Sequence, residues 1–300
     1  MKIFVTGATG YIGRAVCSQL KEEGHEVTGL TSKESHRHIL EELGVEPVAA
    51  DLQETEKWKP YLQKADAAIH LAQDPQKPAE ADRAAVDAVM DVFAGTTKRF
   101  IYTSGVWVLG NTGPEKASEV TPTNPIPMVE WRADTEKRLV AAEAAKSLNV
   151  VIIRPGIVYG LGGGIPAMLA RSAYEGDAAR YIGDGENLWP MVEIEDLARL
   201  YVLALTKGKA GEIYNAVDNG QSFTVRELAE AASVGAGQEG KTQSWPLKEA
   251  RQELGPFADA LCLSQNVSGA KAMEFLEWTP RAPYNAIEDL KLGSYAEQSV

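Results

Sequence analysis

Three glycines, Gly7, Gly10 and Gly13, recur at intervals of three directly after the apolar run Ile3-Phe4-Val5. Residues lacking a Cβ at such places suit phosphate chemistry: one turns the chain tightly, one lets backbone approach an oxyanion, and one lets a helix pack against a strand. Arg14 to Leu20 then has helical spacing, so the turn ends at a helix N-terminus, whose unpaired N–H groups and partial positive charge favour a pyrophosphate. Thr9, Tyr11 and Ile12 belong to the same turn. A second candidate is Ser104, in Tyr102-Thr103-Ser104-Gly105, because residues at the carboxyl ends of strands in an open α/β sheet face the ligand crevice. Thr103, Val106 and Trp107 are expected on the same wall. His25, His36, His38 and His70, with Cys17 and Cys262, have no zinc-type spacing, so no metal centre is expected.

These residues need a scaffold, and the chain supplies an alternation of strand and helix patterns. Strands are expected at 25–30, 45–52, 67–72, 98–105 including the exit, 150–160 and 213–217, with helical spacing between them, which is the pattern of a doubly wound parallel sheet. Ala79 to Phe93 holds an alanine-rich helix with Val86, Val89 and Met90 on a core face. From Ser222 the pattern changes, and Thr224 with Glu227 forms a capping box before an amphipathic helix. We expect a Rossmann-type domain over 1–160 plus about 188–220, and a small substrate lobe over about 161–187 plus 221–300.

The segment TGATGYIG resembles the short-chain dehydrogenase/reductase superfamily, and most closely its extended branch of epimerases, dehydratases and reductases. Further landmarks follow in the family's order: His70-Leu71-Ala72, Tyr102 to Gly105, Arg154-Pro155-Gly156-Ile157-Val158-Tyr159-Gly160, the run from Gly183 to Ala198, and Lys271 to Pro280, where Glu277 replaces the usual glycine. The resemblance implies a bound NAD(P), with Asp51, Leu52, Leu71 and Ala72 beside the adenosine and Pro155, Gly156 and Ile157 beside the nicotinamide. It places Thr31 where NAD-preferring relatives carry an acid; with Ser32 and Lys33 following, NADP is the expected preference over NAD. It also makes Ser104 the residue that hydrogen-bonds the reacting oxygen. Asn187, Trp189 and Met191 are expected to reach the substrate. His70 has two readings, a structural group inside a strand or a base, and the strand interior favours the first.

The family's Tyr-x-x-x-Lys pair is missing. Registered by Glu136, Leu139 and Val140, the tyrosine position falls on Met128 and the lysine position on Arg132. Methionine moves no proton, whereas arginine stays charged and still holds a ribose hydroxyl or substrate oxygen. Ser104, Glu130 and Tyr159 are the candidate replacements, with Trp107 and Trp131 shaping the pocket. Three functions stay open: an NAD(P)-dependent oxidoreductase, a redox-neutral epimerase, dehydratase or lyase, and a dinucleotide-binding regulator without turnover.

Composition narrows the partners. The 300 residues, 44% hydrophobic, suffice for a large core, and a net charge of −12 repels nucleic acid. No apolar run reaches the roughly 18 residues that span a bilayer, and no targeting segment is visible, so a cytoplasmic protein with a small-molecule substrate is expected. The resemblance further implies a possible homodimer through the helices beginning near Ala79 and Trp131.

Overall fold

The computed structural model describes residues 1–113 and 115–296; residues 297–300 of the expected small lobe lie outside the described residues. Its first part alternates strand and helix: β1 (Lys2–Thr6), α1 (Tyr11–Glu22), β2 (Glu26–Thr31), α2 (Arg37–Glu42), β3 (Glu46–Ala49), α3 (Thr55–Lys64), β4 (Ala67–His70), α4 (Pro78–Phe93), β5 (Arg99–Thr103), α5 (Glu130–Lys146) and β6 (Val150–Pro155). After these come β7 (Ile157–Tyr159), α6 (Pro166–Glu175), β8 (Ala179–Ile182), β9 (Leu188–Glu193), α7 (Ile194–Lys207) and β10 (Ile213–Ala216). The chain ends with β11 (Ser222–Thr224), α8 (Val225–Gly235), β12 (Thr242–Trp245), α9 (Leu247–Leu254), α10 (Phe257–Leu261), α11 (Ala270–Phe275) and α12 (Ala286–Leu292).

The large sheet has the order β3-β2-β1-β4-β5-β6-β10, with every neighbouring pair parallel. Chain order reverses between β1 and β4, and a ligand crevice forms at such a switch point. Both faces are covered. Ile3, Val5, Ile69, Ile101, Val151 and Ile153 point to the side of α1 and α7, whereas Phe4, Ala68, Phe100, Val150 and Ile152 meet Trp58, Val86, Phe93 and Leu139 on the other side. Alternate side chains of a strand go to opposite faces, so a strand buried on both reads as one continuous apolar run. That is why these strands were legible.

The segment 179–198 does not rejoin the large sheet as a strand. β8 pairs with β12 in a two-stranded parallel sheet, and β9 lies between β7 and β11 in a three-stranded one. It is α7 that returns, packing on α1 over the large sheet. The three-stranded sheet draws strands from both expected domains, so the two lobes interleave. Thr224 and Glu227 form the expected capping box of α8.

His70 takes the structural role. Buried, it bonds Thr6 Oγ1 through Nδ1 at 2.7 Å and Asp82 Oδ1 through Nε2 at 3.2 Å. Asp82 also accepts from Tyr102 (3.0 Å) and Thr135 (3.1 Å), so one buried carboxylate joins β4, β5, α4 and α5 beneath the crevice.

Candidate functional site

The glycine turn has little room for side chains. Gly7 sits at φ 69°, where a Cβ would come within 2.6 Å of the Ala72 nitrogen, and a Cβ on Gly13 would overlap the Gly7 carbonyl. Gly10 caps α1 without any side-chain hydrogen bond, leaving the helix N-terminus to a ligand. Thr6 Oγ1 accepts from the Leu71 and Ala72 nitrogens, both at 3.3 Å, which ties the exit of β4 to the turn.

Against this turn lies a cavity of about 400 Å³. Gly7, Thr9 and Gly10 form one wall, Thr31 and Ser32 the end of β2, Asp51 and Leu52 the end of β3, and Leu71 and Ala72 the end of β4. Thr31 is buried, with its Oγ1 3.4 Å from Thr9 Oγ1. A second cavity of about 310 Å³ continues from the first, sharing Leu71 and Gln73 with it. It is walled by Tyr11 and Ile12, by Thr103, Ser104, Val106 and Trp107, by Met128 and Arg132, and by Pro155, Gly156 and Ile157.

Within the second cavity, Arg132 is held in place. Its Nη1 donates to the Thr103 carbonyl at 2.8 Å, its Nη2 donates to Gln73 Oε1 at 3.1 Å, and its guanidinium lies 4.4 Å from the Trp131 ring centre. Ser104 is buried, and its Oγ has no hydrogen-bond partner among the described residues, although its backbone nitrogen bonds Ile153 O at 2.8 Å. A buried hydroxyl left unpaired is costly, so its place in a cavity wall marks a site for an oxygen-bearing ligand. Among the described lining residues, Arg132 and Tyr11 are the ionisable ones. Tyr11 donates to the Gly160 carbonyl at 2.7 Å, and burial pushes its phenol far up, so it is engaged in structure.

Several expected residues lie elsewhere. Glu130 is exposed on the outer side of α5 and does not line the cavity. Tyr159 is buried in the small-lobe core, donates to the Tyr284 carbonyl at 2.9 Å, and has its phenol pushed up by burial, which makes it a poor proton donor. Trp131 lies behind Arg132, its Nε1 donating to the Met128 carbonyl at 3.1 Å. Lys33 is exposed beyond the cavity rim. Asn187 ties the start of β9 to the end of α10 and the chain just after it through the Leu261 and Leu263 carbonyls, and Met191 is wholly buried in the core. Trp189 faces a separate chamber in the small lobe. Residue spacing locates such groups along the chain but not on which side of a short strand or helix turn they emerge. Gln73, which bridges both cavities, was missed; the strand-exit rule applied to β4 as it was to β5 finds it.

A dinucleotide fits these residues: a glycine turn at an open helix end, two joined cavities and an unpaired buried hydroxyl lie in sequence along the carboxyl edge of the sheet. The model of the NAD dependent epimerase/dehydratase family matches residues 3–216. An uncharacterised protein of Schizosaccharomyces pombe is 33% identical over 294 residues, covering 93% of this chain and 95% of that protein. A 2-alkyl-3-oxoalkanoate reductase of Stenotrophomonas maltophilia is 32% identical over 257 residues, 79% of this chain and 76% of that one. Among solved structures, dTDP-glucose 4,6-dehydratase of Bacillus anthracis in complex with NAD superposes with a TM-score of 0.83 at 18% identity, covering 100% of this chain and 97% of that one. NAD(P) is the cofactor typical of the family whose model matches. The chain belongs to the NAD-dependent epimerase/dehydratase family.

Proposed function

We propose that the protein is an NAD(P)-dependent oxidoreductase acting on a small carbonyl or hydroxyl compound, with NADP preferred. The observation that carries this reading is the buried, unpartnered Ser104 Oγ in the wall of the inner cavity. When bound, the dinucleotide supplies or receives a hydride. Ser104 Oγ then donates to the substrate oxygen and fixes it against the Pro155–Ile157 wall. Arg132, whose guanidinium is locked by Thr103 and Gln73, holds a positive charge beside the oxygen as it becomes an alkoxide. Met128 has no proton to give, so the alkoxide is protonated by water through the Ser104 hydroxyl. The NADP preference is supported by the end of β2, where the neutral Thr31 and Ser32, rather than an acid, line the cavity.

A second reading, a dinucleotide-binding protein without turnover, is favoured by the lack of a carboxylate, histidine or lysine among the described residues lining the inner cavity. One experiment separates the two. NADPH and NADH are titrated by fluorescence, and nicotinamide absorbance is then followed with ketones, aldehydes and nucleotide sugars. Oxidation of NADPH by a carbonyl compound is expected, with tighter binding of NADPH than of NADH. Replacing Ser104→Ala is expected to lower kcat/KM by about 10²-fold, as for loss of one oxyanion donor, without changing dinucleotide affinity. Binding with a compound consumed but no net oxidation of the dinucleotide selects a redox-neutral epimerase, dehydratase or lyase, binding with no compound consumed selects the regulator, and undiminished turnover by Ser104→Ala removes Ser104 from the chemistry.

A further inference from the structure

Arg132 is the cation of the inner cavity, and no acid lines that cavity among the described residues. The arginine is half-buried, and its hydrogen-bond acceptors there, the Thr103 carbonyl and Gln73 Oε1, are both neutral. Acids near it in the chain or the fold are committed elsewhere. Glu136, one helical turn along α5, pairs with the buried Arg154; Asp74 accepts from the Gln76 and Lys77 nitrogens; Asp82 serves His70, Tyr102 and Thr135. A ligand that fills the cavity strips water from this cation, and an anionic group then restores what hydration supplied. Resting on the oxidoreductase reading, we propose that the substrate is a short 2-oxo or 3-oxo acid, whose carboxylate binds Arg132 while its carbonyl oxygen binds Ser104 Oγ.

The two anchor points stand side by side, because Arg132 Nη1 donates at 2.8 Å to the carbonyl of Thr103, the residue before Ser104. A small molecule that reaches both therefore carries its carboxylate on its carbonyl carbon or on the carbon beside it. The other N–H groups of the guanidinium are used by no described residue, and their planar fork matches the two oxygens of a carboxylate. Val106, Trp107, Met128 and Ile157 give the rest of the wall an apolar surface for the carbon chain. The dinucleotide brings Arg132 no permanent anion. On this reading its pyrophosphate belongs at the glycine turn of the outer cavity, which Arg132 does not line, and its nicotinamide ribose is uncharged. The alkoxide exists only during turnover, when the carbonyl carbon gains a hydride, its π pair passes to oxygen, and the oxygen takes a proton from water through Ser104. NADPH is thereby oxidised to NADP and the oxo acid reduced to a hydroxy acid.

The test uses the whole protein with NADPH and 2-oxobutanoate, acetoacetate and 3-oxohexanoate, each compared with its amide, which is uncharged and nearly the same shape. The preferred acid is expected to exceed its amide in kcat/KM by about 10- to 100-fold, the worth of hydrogen bonds to a charged group. In Arg132→Met, loss of alkoxide stabilisation lowers kcat for acid and amide alike, whereas loss of the carboxylate contact raises KM for the acid alone, so the ratio falls to about one. Arg132→Lys keeps the charge without the fork and is expected to retain part of the preference should the methionine variant fold poorly. Titration of the same acids without dinucleotide gives a readout independent of turnover, followed by tryptophan fluorescence, since the Trp131 ring centre lies 4.4 Å from the guanidinium. Acid binding that Arg132→Met abolishes, with no compound reduced, upholds the carboxylate site and overturns the oxidoreductase reading. Amides reduced as well as acids, or an acid preference that survives Arg132→Met, overturns the proposal and leaves that reading standing. Acids that neither bind nor react also overturn the proposal.

Discussion

Glu193 shows how a single side chain serves structure under tension. It is the N-cap of α7, accepting from the Glu195 and Asp196 nitrogens at 2.7 and 2.9 Å, bonds that favour the carboxylate. Burial and the neighbouring acids act the other way and prevail, raising its carboxyl from 4.5 to about 7. The folded protein therefore keeps a proton that the unfolded chain releases. The stability that this group confers is complete below pH 4.5, declines as the pH rises through about 7, and is then lost. Glu193→Gln retains the capping oxygen and removes the titration, so its Tm relative to the parent is expected to climb across that window; parallel calorimetric profiles would refute the assignment. At this scale the sequence was informative for Ser104, because a strand exit has a known facing. It was uninformative for Glu130 and Tyr159, because a carboxylate at a helix start and a phenol in a three-residue strand face either way until packing decides.

Elements differ in legibility for physical reasons. The strands of the large sheet are apolar on both faces and each is followed by a helix, so sequence alone located them and their order of use. The pairings β8–β12 and β7–β9–β11 were not visible, since three- and four-residue strands joined across long stretches of chain leave no periodic trace. Glu277, at the position where the resemblance leads one to expect glycine, follows α11 at φ 55°, a conformation that penalises a Cβ, and its ion pair with Lys207 is solvent-accessible. Glu277→Gly is expected to raise stability by up to about 1 kcal/mol, the relief of strain outweighing both the ion pair and the added freedom of the unfolded chain. Urea denaturation measures it, and a loss of stability would mean that the Lys207 pair dominates.

On the scale of the whole molecule, the lobes are joined by buried polar groups as well as by packing. Asp196 of α7, almost wholly buried, pairs with Arg199 and accepts from the Arg281 and Ala282 nitrogens, both at 2.9 Å, while its carbonyl receives Trp278 Nε1 at 2.8 Å. The C-terminal segment is thus anchored to the helix that covers the large sheet. Asp196→Ala leaves these donors and the cation unmatched, and a loss of about 3–5 kcal/mol is expected in equilibrium unfolding. A loss under 1 kcal/mol would show that packing alone holds the segment.

The glycine turn also bears on how this protein can change over evolutionary time. Side chains at Gly7 and Gly13 collide with backbone, which no neighbouring rotamer relieves, so those positions tolerate no drift. Ser32, at the cavity rim, is exposed and unconstrained by such overlap. Variation is therefore channelled: substitutions accumulate at the rim, where the proposed choice of dinucleotide lies, while the glycine turn is inherited intact.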